Sequence, residues 1–595
     1  MTKVYKYLLI LLLFVPAAGC SFLNVEPFDD FTDEEFWTSE DQARSYMYGF
    51  YPTVFSGYGT SYESAMSVIK PGTNDDVCEQ DQQDLQPTVV PVTSGSWSFS
   101  NIRKANYVIH NVGRLPIDST GINHWRGVGR FFRACYYSGL VFTFGDVPWF
   151  DTLCVVSDKK ADMDYMYKDR DPRSYVNERI IEDFEYAMKY VRANDGNLQV
   201  NKYVAAGMAS RYLLREGTYL KYVKGDETMA ALCLQKAKEA AEMVMNSGRY
   251  SIAPSYTALF TSEDLAGNPE MLMYRHYVDG VLSHRMLSIN FTESQEGCSK
   301  SLAEAFVCSD GQPVYVKNPM WLPRTYDEFF QNRDPRLTFC IRPKYYLKGC
   351  DCTFFSYTYT GYSWRKYFVN YTIEKDIKGK DSLSVKPEPT WTGAKNTTDA
   401  PCLRYAEVLL NYAEATYELA LMGKGAFAQA DLDKSINLIR ARQDVNLPAL
   451  KMSGDQPMVN NVTFDDPMRL SIESYTGETP VDPLLWEIRR ERRCELCLEG
   501  FRVNDLKRWK RLDYVWNGCN PDIRYGAYIQ LANYPDRDAE IVLEDPTATE
   551  GYILRNTAGQ RQRPIARDYI APIPSGQITL YESKGYHLSQ NPEWE

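Results

Sequence analysis

The chain has 595 residues, 44% hydrophobic and 24% charged, so it is about four times a typical domain and carries enough apolar side chain to bury a large core; a disordered chain and a small stapled scaffold are excluded. The 66 Lys and Arg against 78 Asp and Glu leave a formal charge of −12, which argues against a nucleic-acid partner, because phosphate neutralisation needs clustered cations. Aromatic residues reach 14%, with 44 Tyr and 11 Trp, whereas His numbers only 5. Ring surfaces are expected ahead of imidazole chemistry.

Lys3 and Lys6 precede an apolar run at 7–15, the charged and hydrophobic parts of a secretory signal. A spanning helix needs about 20 such residues, so this run is too short to stay in a bilayer. The following Pro16-Ala17-Ala18-Gly19-Cys20 resembles the lipobox of bacterial lipoproteins. Residues 1–19 are then a signal peptide, Cys20 is the acylated first residue, and the lipid is the only expected membrane anchor. The acidic cluster Asp29, Asp30, Asp33, Glu34 and Glu35 lacks the spacing of an EF-hand loop and reads as solvated surface.

Beyond a loop-rich stretch at 55–97, a helix is expected over 102–111. Val176, Ile180, Phe184, Ala187 and Val191 follow 3 and 4 spacing and predict a helix with one buried face. A second covers 203–222. A third runs through Ala230, Cys233, Ala237, Ala241 and Val244 and stops at Asn246-Ser247-Gly248. Leu403, Ala406, Leu410, Ala413, Tyr417 and Ala420 predict another helix, joined through Gly423-Lys424-Gly425 to a partner carrying Leu432, Ile436 and Ile439. Small residues on one face let such hairpins stack closely, as in degenerate tetratricopeptide arrays, although no strict repeat of roughly 34 residues is visible. Between about 266 and 401 the helical periods fade, Gly, Pro, Asn, Asp and Tyr are frequent, and 353–360 reads as a short strand. The expected fold is mainly α, a tetratricopeptide-like helical hairpin scaffold with an irregular loop-rich inserted lobe, all within one domain at 20–595.

Fourteen cysteines in an exported chain first suggest disulfides. Acylating Cys20 leaves an odd number, and neither Cys350 with Cys352 nor Cys494 with Cys497 has the second pair that zinc would want. Cys135 and Cys233 sit in apolar helical patterns and read as small core residues. Glu487, Glu491, Glu495 and Glu499 recur every four residues. A carboxylate pair is the equipment of a glycosidase, but the interleaved Arg489, Arg490, Arg492, Arg493 and Arg502 point to structural ion pairing; the same holds for Arg333 with Asp334 and Arg404 with Glu407. His110, His124, His276, His284 and His587 are scattered without metal spacing, and no phosphate-cradling Gly loop is present. No cofactor or metal is expected.

Ordered motifs carry a family resemblance. Residues 129–137, with Arg133-Ala134-Cys135-Tyr136-Tyr137, are followed by Gly145-Asp146-Val147-Pro148, then Asn332-Arg333-Asp334-Pro335-Arg336-Leu337 and the run from Arg404-Tyr405-Ala406-Glu407 to Ala413-Glu414-Ala415. Ile436-Asn437-Leu438-Ile439-Arg440-Ala441-Arg442, Glu491-Arg492-Arg493-Cys494-Glu495-Leu496, Glu499-Gly500-Phe501-Arg502, Asp505-Leu506-Lys507-Arg508-Trp509, Pro572-Ile573-Pro574 and Gln590-Asn591-Pro592 complete the series. The chain resembles the SusD/RagB family of Bacteroidetes outer-membrane lipoproteins; Cys497 and Leu498 depart from the aromatic usual beside the final Glu. The resemblance implies a tetratricopeptide-like protein on the cell surface that captures a glycan and hands it to a TonB-dependent outer-membrane transporter (SusC-like), without enzymatic activity. A peptide-binding member of the same family and a secreted helical glycoside hydrolase are the alternatives.

Sugar rings present apolar faces to aromatic side chains, and their hydroxyls need polar partners. Aromatic and polar residues of the loop-rich stretches are therefore the candidate ligand contacts: Trp321 first, held between Pro319 and Pro323, then Trp97, Tyr58, Tyr62, Phe291 and Tyr326, with Asn74, Asp75, Asp76, Asn290, Glu293 and Gln295 as polar companions.

Overall fold

The computed structural model describes residues 36–595 apart from 70–72, 79–84, 86, 88, 154–156, 158, 292–296, 318–321, 346, 349–357, 369–372, 376–380, 384–392 and 556–562. Cys20, the acidic cluster at 29–35, Cys350, Cys352, Glu293, Gln295 and Trp321 lie outside the described residues.

The scaffold consists of long helices, each packed on its successor: α1 (Ser100–Asn111), α2 (Ser119–Phe144), α3 (Arg173–Tyr190), α4 (Lys202–Tyr219), α5 (Glu227–Met245), α6 (Tyr405–Leu421) and α7 (Pro483–Glu495). Their ends are written locally. Asp118 accepts from Gly121 N–H at 2.7 Å to start α2, and Gly145 at φ +79° ends it. Asn201 caps α4 through Tyr203 and Val204, and Asp226 caps α5 through Met229. Each cap satisfies amides that would otherwise be orphaned, an effect of about 1 kcal/mol apiece.

Two glycines set how closely the helices approach. A Cβ on Gly129 would fall 2.9 Å from Ile109 of α1, and one on Gly217 would fall 2.8 Å from Leu234 and 3.1 Å from the Ala230 carbonyl of α5. A single large core runs through the array, with Phe131, Phe184, Val204, Leu213, Leu234, Leu409 and Ile488 all buried. Cys135 and Cys233 are buried in it, and all ten described cysteines are free. The helix expected over 203–222 instead turns π-helical at Leu220–Lys224.

A second core belongs to the irregular lobe. Tyr256, Phe306, Phe329, Leu337, Tyr362 and Trp364 are buried there together with Ala527, Ile529, Leu543 and Ile553, so residues 525–554 join a lobe that the sequence pattern placed only at about 266–401. Its β-structure is sparse: β1 (Met271–Arg275) pairs antiparallel with β4 (Ala400–Arg404) across the junction with the helices, and β2 (Ile373–Lys375) pairs with β3 (Asp381–Leu383). After a small sheet of β5 (Lys451–Ser453), β6 (Gln456–Val459) and β7 (Val462–Thr463), the lobe gains β8 (Tyr525–Gln530), β9 (Val542–Leu543) and β10 (Glu550–Leu554), ordered β8-β10-β9. Of the strand expected at 353–360, Thr358 forms one parallel bridge with Leu347 and 353–357 lie outside the described residues.

Two details of the last hairpin differ from expectation. Leu403 belongs to β4, because the chain stays extended until Arg404 at φ −125°, and α6 starts at Tyr405. The partner helix is two short turns, Gln429–Asp433 and Ile436–Arg440, broken at Ser435, whose φ −132°, ψ −96° lies outside the helical region. Two further helices matter below: α8 (Arg502–Arg508) and α9 (Ser575–Ser583). No helix among the described residues is long and apolar enough to cross a membrane.

Candidate functional site

A groove of about 420 Å³ opens between the start of α1, the segment after α2, residues 166–167 and α9. It is framed by a train of edge-to-face rings. Trp97 meets Phe144 at 5.0 Å and Phe99 at 5.4 Å, Phe99 meets Phe150 at 5.4 Å, and Phe150 meets Tyr165 at 5.4 Å. On the opposite wall Tyr167 packs edge-on to Tyr581 of α9 at 5.2 Å and stacks on Tyr586 at 5.5 Å. Each such ring pair adds about 0.5–1.5 kcal/mol beyond its buried area, which fixes ring orientation before any ligand arrives. Trp97 is 8% exposed and acts as the floor. Half-buried Phe99 and Tyr167 and exposed Leu580 line the opening.

The floor is held by buried polar groups. Asn106 of α1 donates to the Phe150 and Thr152 carbonyls at 2.9 and 3.2 Å and accepts from Arg133 at 2.8 Å. Arg133 grips Asp183 of α3 through two bonds of 2.7 and 2.8 Å. The far wall is pinned by the C-terminal segment. Asn591 donates to the Phe144 and Ala571 carbonyls at 3.0 and 2.7 Å, and Arg170 binds Ser589, Gln590 and Asn591. The side chains of Arg103 and Gln577, which line the groove, have no hydrogen-bond partner among the described residues, and the Ser98 and Ser100 hydroxyls share one bond of 3.1 Å. An aromatic groove with a few open donors and acceptors suits a flat, hydroxyl-rich ligand.

The residues singled out in the sequence do not meet at one place. Trp97 forms the groove floor. Tyr58 is buried on a different cleft, stacked near Tyr277 at 6.3 Å and edge-on to His284 at 4.8 Å. Tyr62 is exposed at the start of the helix Tyr62–Ile69, and Tyr326 is half-buried against Tyr345 at 6.3 Å. Asn290 and Phe291 end the helix Met286–Phe291, their side chains outside the description.

Asn74, Asp75 and Asp76 are corrections. Asn74 accepts from the Asp76 and Val77 amides, Asp75 is bound by Arg502 at 2.7 Å through both oxygens, and Asp76 takes Arg493 at 2.8 Å. All three are buried, so their acceptors face protein rather than a ligand. Sequence reasoning missed Phe99, Phe150, Tyr167, Tyr581, Arg103 and Gln577. The aromatic density at 149–167 and 581–586 was visible, but nothing local joins it to Trp97.

The glutamate ladder of α7 and the turn after it is a buried ionic lattice. Glu491 binds Arg336 and Arg440; Glu495 binds Arg336, Arg404 and Arg442 at 3.0, 2.6 and 2.7 Å; Glu499 binds Arg404 and Lys366, both at 2.7 Å. Glu487 pairs with Arg490, which also contacts Asp466. Burial alone would raise the Glu495 carboxyl, but the guanidiniums of Arg442, Arg404 and Arg336 outweigh it and hold it at about 2. At Glu487 burial prevails over Arg490 and pushes the carboxyl up to about 7. Asp334 and Arg336, Arg404, Arg440 and Arg442, and Glu491, Glu495 and Glu499, all from the motifs quoted above, meet in this lattice.

Among the described residues one cluster has metal-ligand chemistry, Asp264, His276 and Asp399, with donor atoms within 4.8 Å of one another. Its inner carboxylate is already committed: Asp399 accepts from His276 Nδ1 at 2.8 Å and from the Tyr277 and Leu265 amides at 3.2 and 2.8 Å.

Fold and groove together define a tetratricopeptide-like helical protein with an open aromatic groove. Residues 294–594, half of the chain, match the SusD family, and the chain belongs to that family. It is 24% identical over 552 residues to SusD-like protein P2 of Formosa agariphila, covering 88% of this chain and 95% of that protein. Among solved structures, a SusD-like carbohydrate-binding protein from Bacteroides fragilis is similar at TM-score 0.62 and 19% identity, over 92% of this chain and 99% of that one. A second SusD-like protein from Bacteroides fragilis is similar at TM-score 0.63 and 19% identity, over 95% of this chain and 99% of that one.

Proposed function

We propose that this chain is a non-enzymatic, lipid-anchored cell-surface protein of the outer membrane that binds glycans and passes them to a TonB-dependent outer-membrane transporter. The aromatic groove at Trp97 carries the reading, because stacked rings with open polar groups at the rim suit sugar faces and hydroxyls. Membership of the SusD family and the carbohydrate-binding description of a similar Bacteroides fragilis protein support it. The anchor rests on Cys20 and the transporter on the family resemblance.

The test is titration calorimetry of the mature chain against a panel of neutral oligosaccharides, with chromatography of the sugars afterwards. Binding without cleavage is expected. Phe99→Ala is expected to weaken it by about 1–3 kcal/mol, by analogy with stacking of planar rings on aromatics, and to lower stability as its ring pairs with Trp97 and Phe150 are lost, whereas Gln577→Ala is expected to weaken it with little change in unfolding. Affinity unchanged in Phe99→Ala and in Gln577→Ala moves the site elsewhere, and shortened sugars overturn the non-enzymatic reading. Extraction in mild detergent is expected to bring down a large β-barrel; a solitary protein under several gentle conditions removes the transporter from the proposal.

A further inference from the structure

Buried carboxylates follow one rule in this protein, with a single exception among the described residues. Every buried Asp or Glu other than Asp399 has an Arg or Lys nitrogen within 3.1 Å, as Asp183 has Arg133, Glu270 has Arg404 and Glu414 has Arg508. Asp399 is fully buried, and no Lys or Arg among the described residues lies within ion-pair range of it. Its neighbour is the imidazole of His276 at 2.8 Å, which carries charge only when protonated. Buried charges are paired or bind metals, because desolvating an uncompensated one is costly.

The backbone builds this place from three segments. The ladder of β1 and β4 ends with Arg275 opposite Ala400, so the next residue outward on each strand is His276 on one side and Asp399 on the other. The turn after the short helix Ala258–Thr261 closes on them: the Asp399 amide donates to the Ser262 carbonyl at 2.8 Å, and the Leu265 amide donates to Asp399 Oδ2 at 2.8 Å. That contact sets Asp264 beside the pair, with one donor atom from each of Asp264, His276 and Asp399 within 4.8 Å of the others. His276 and Asp399 are 123 residues apart in sequence, which is why no ligand spacing shows there. The hydrogen bonds of Asp399 do not exhaust it. Oδ1 accepts from His276 and the Tyr277 amide and Oδ2 from the Leu265 amide, so one of about four lone-pair positions stays open. Asp264 accepts from the Ala266 amide through Oδ1 alone, and both Asp264 and His276 are exposed to solvent, from which a cation arrives.

We propose that Asp264, His276 and Asp399 form a zinc site, each giving one ligand atom and water filling the fourth position. A ring nitrogen with two carboxylate oxygens suits zinc, whereas calcium takes six or more oxygens. The double positive charge supplies to Asp399 what a guanidinium or an ammonium supplies to the other buried carboxylates, and Asp264 with neutral His276 completes the balance. Tetrahedral bonds of about 2.0–2.2 Å place donors about 3.4 Å apart, so the cluster draws together on binding, with Asp264, exposed and outside any helix or strand, the part free to move. The metal then clips the 262–265 turn to the strands that join the lobe to the helices. The site is separate from the aromatic groove, and its existence does not depend on the glycan reading.

The experiment is calorimetric titration of the chelator-stripped mature chain at neutral pH with zinc chloride, and in parallel with calcium chloride and magnesium chloride. One zinc per chain is expected to bind at micromolar concentration or below, more tightly than calcium or magnesium, and to raise the melting temperature as ligand binding to the folded state does. Asp264→Asn and His276→Ala are each expected to weaken zinc at least tenfold. Asp264 is exposed, so Asp264→Asn is expected to keep the wild-type urea midpoint in chelator, and it decides the matter if His276→Ala folds poorly. Cobalt(II) as a spectroscopic stand-in separates this site from the free cysteines: a visible d–d spectrum without a thiolate-to-metal band is expected, and its loss in Asp264→Asn. No zinc binding at micromolar concentration, calcium bound more tightly than zinc, a thiolate band, or zinc affinity unchanged in Asp264→Asn overturns the proposal.

Discussion

His284 is the fully buried histidine whose two ring nitrogens are both engaged in the neutral form. Nε2 meets the Thr398 carbonyl at 2.8 Å, and Nδ1 accepts from the Met286 amide at 3.1 Å. The rings of Tyr58 and Tyr277 close over it at 4.8 and 4.6 Å. Burial pulls its pKa down to about 4, with the Thr398 carbonyl opposing. The unfolded chain protonates this histidine near pH 6.5, whereas the folded chain resists until about 4, so stability falls as pH drops through that window. A loss of about 2 kcal/mol between pH 7 and 5 is expected from this group. Glu487 acts with the opposite sign, its raised pKa favouring the folded state as pH falls from 7 towards 4.5. Urea midpoints of wild type and His284→Asn at the two pH values separate them: the variant is expected to be less stable at pH 7 and to lose less on acidification. Equal slopes against pH would remove His284 as the source.

The residue scale also shows where sequence reading stops. Asp75 and Asp76 sat in a loop-rich stretch, and their chemistry suited hydroxyl binding. Their partners, Arg493 and Arg502, come more than 400 residues later. Local sequence reports the charge and not the counter-charge, so a buried ion pair and an open polar site look alike.

Among elements, the long helices were legible because one face stays apolar at 3 and 4 spacing over several turns. α3, α5 and α6 lie where their periodicity placed them, within a few residues at each end. Short segments were not legible: Leu403 fits the helical phase of α6 yet lies on β4, since pairing with Met273 of β1 holds the backbone extended. At Gly217, α4 lies directly against Leu234 and the Ala230 carbonyl of α5. Alanine in a helix is favoured over glycine by about 1 kcal/mol, but the Ala230 carbonyl at 3.1 Å is backbone and has little room to yield. Gly217→Val adds branching at that contact, and a net loss of about 1–3 kcal/mol is expected from overpacking, read as a lower urea midpoint with unchanged slope. A midpoint at or above wild type would show that the two helices separate without cost.

At the scale of the whole molecule, α7 and the turn after it form the wall shared by both cores. Leu484, Leu485, Ile488 and Leu496 pack into the helical core, while Cys494, Cys497 and Leu498 pack into the lobe. Glu495 fastens that wall to Arg336 in the lobe, Arg404 at the junction and Arg442 beyond α6. Removing one member of a buried ion pair leaves its partners uncompensated and costs about 3–5 kcal/mol. Glu495→Gln is therefore expected to lower the calorimetric melting temperature and to split one cooperative transition into two, as the lobe loosens before the helices. A single transition at the wild-type temperature would mean that apolar packing alone joins the cores.

The groove at Trp97 is assembled from the two ends of the described chain. Its floor comes from residues 97–152 and its far wall from α9, with Asn591 tied back to Phe144. An emerging polypeptide therefore makes the floor early and receives the opposite wall last. The groove takes shape only once residues 575–591 have been made and have come back against 97–152, so a product that stops before them carries a half-built recess.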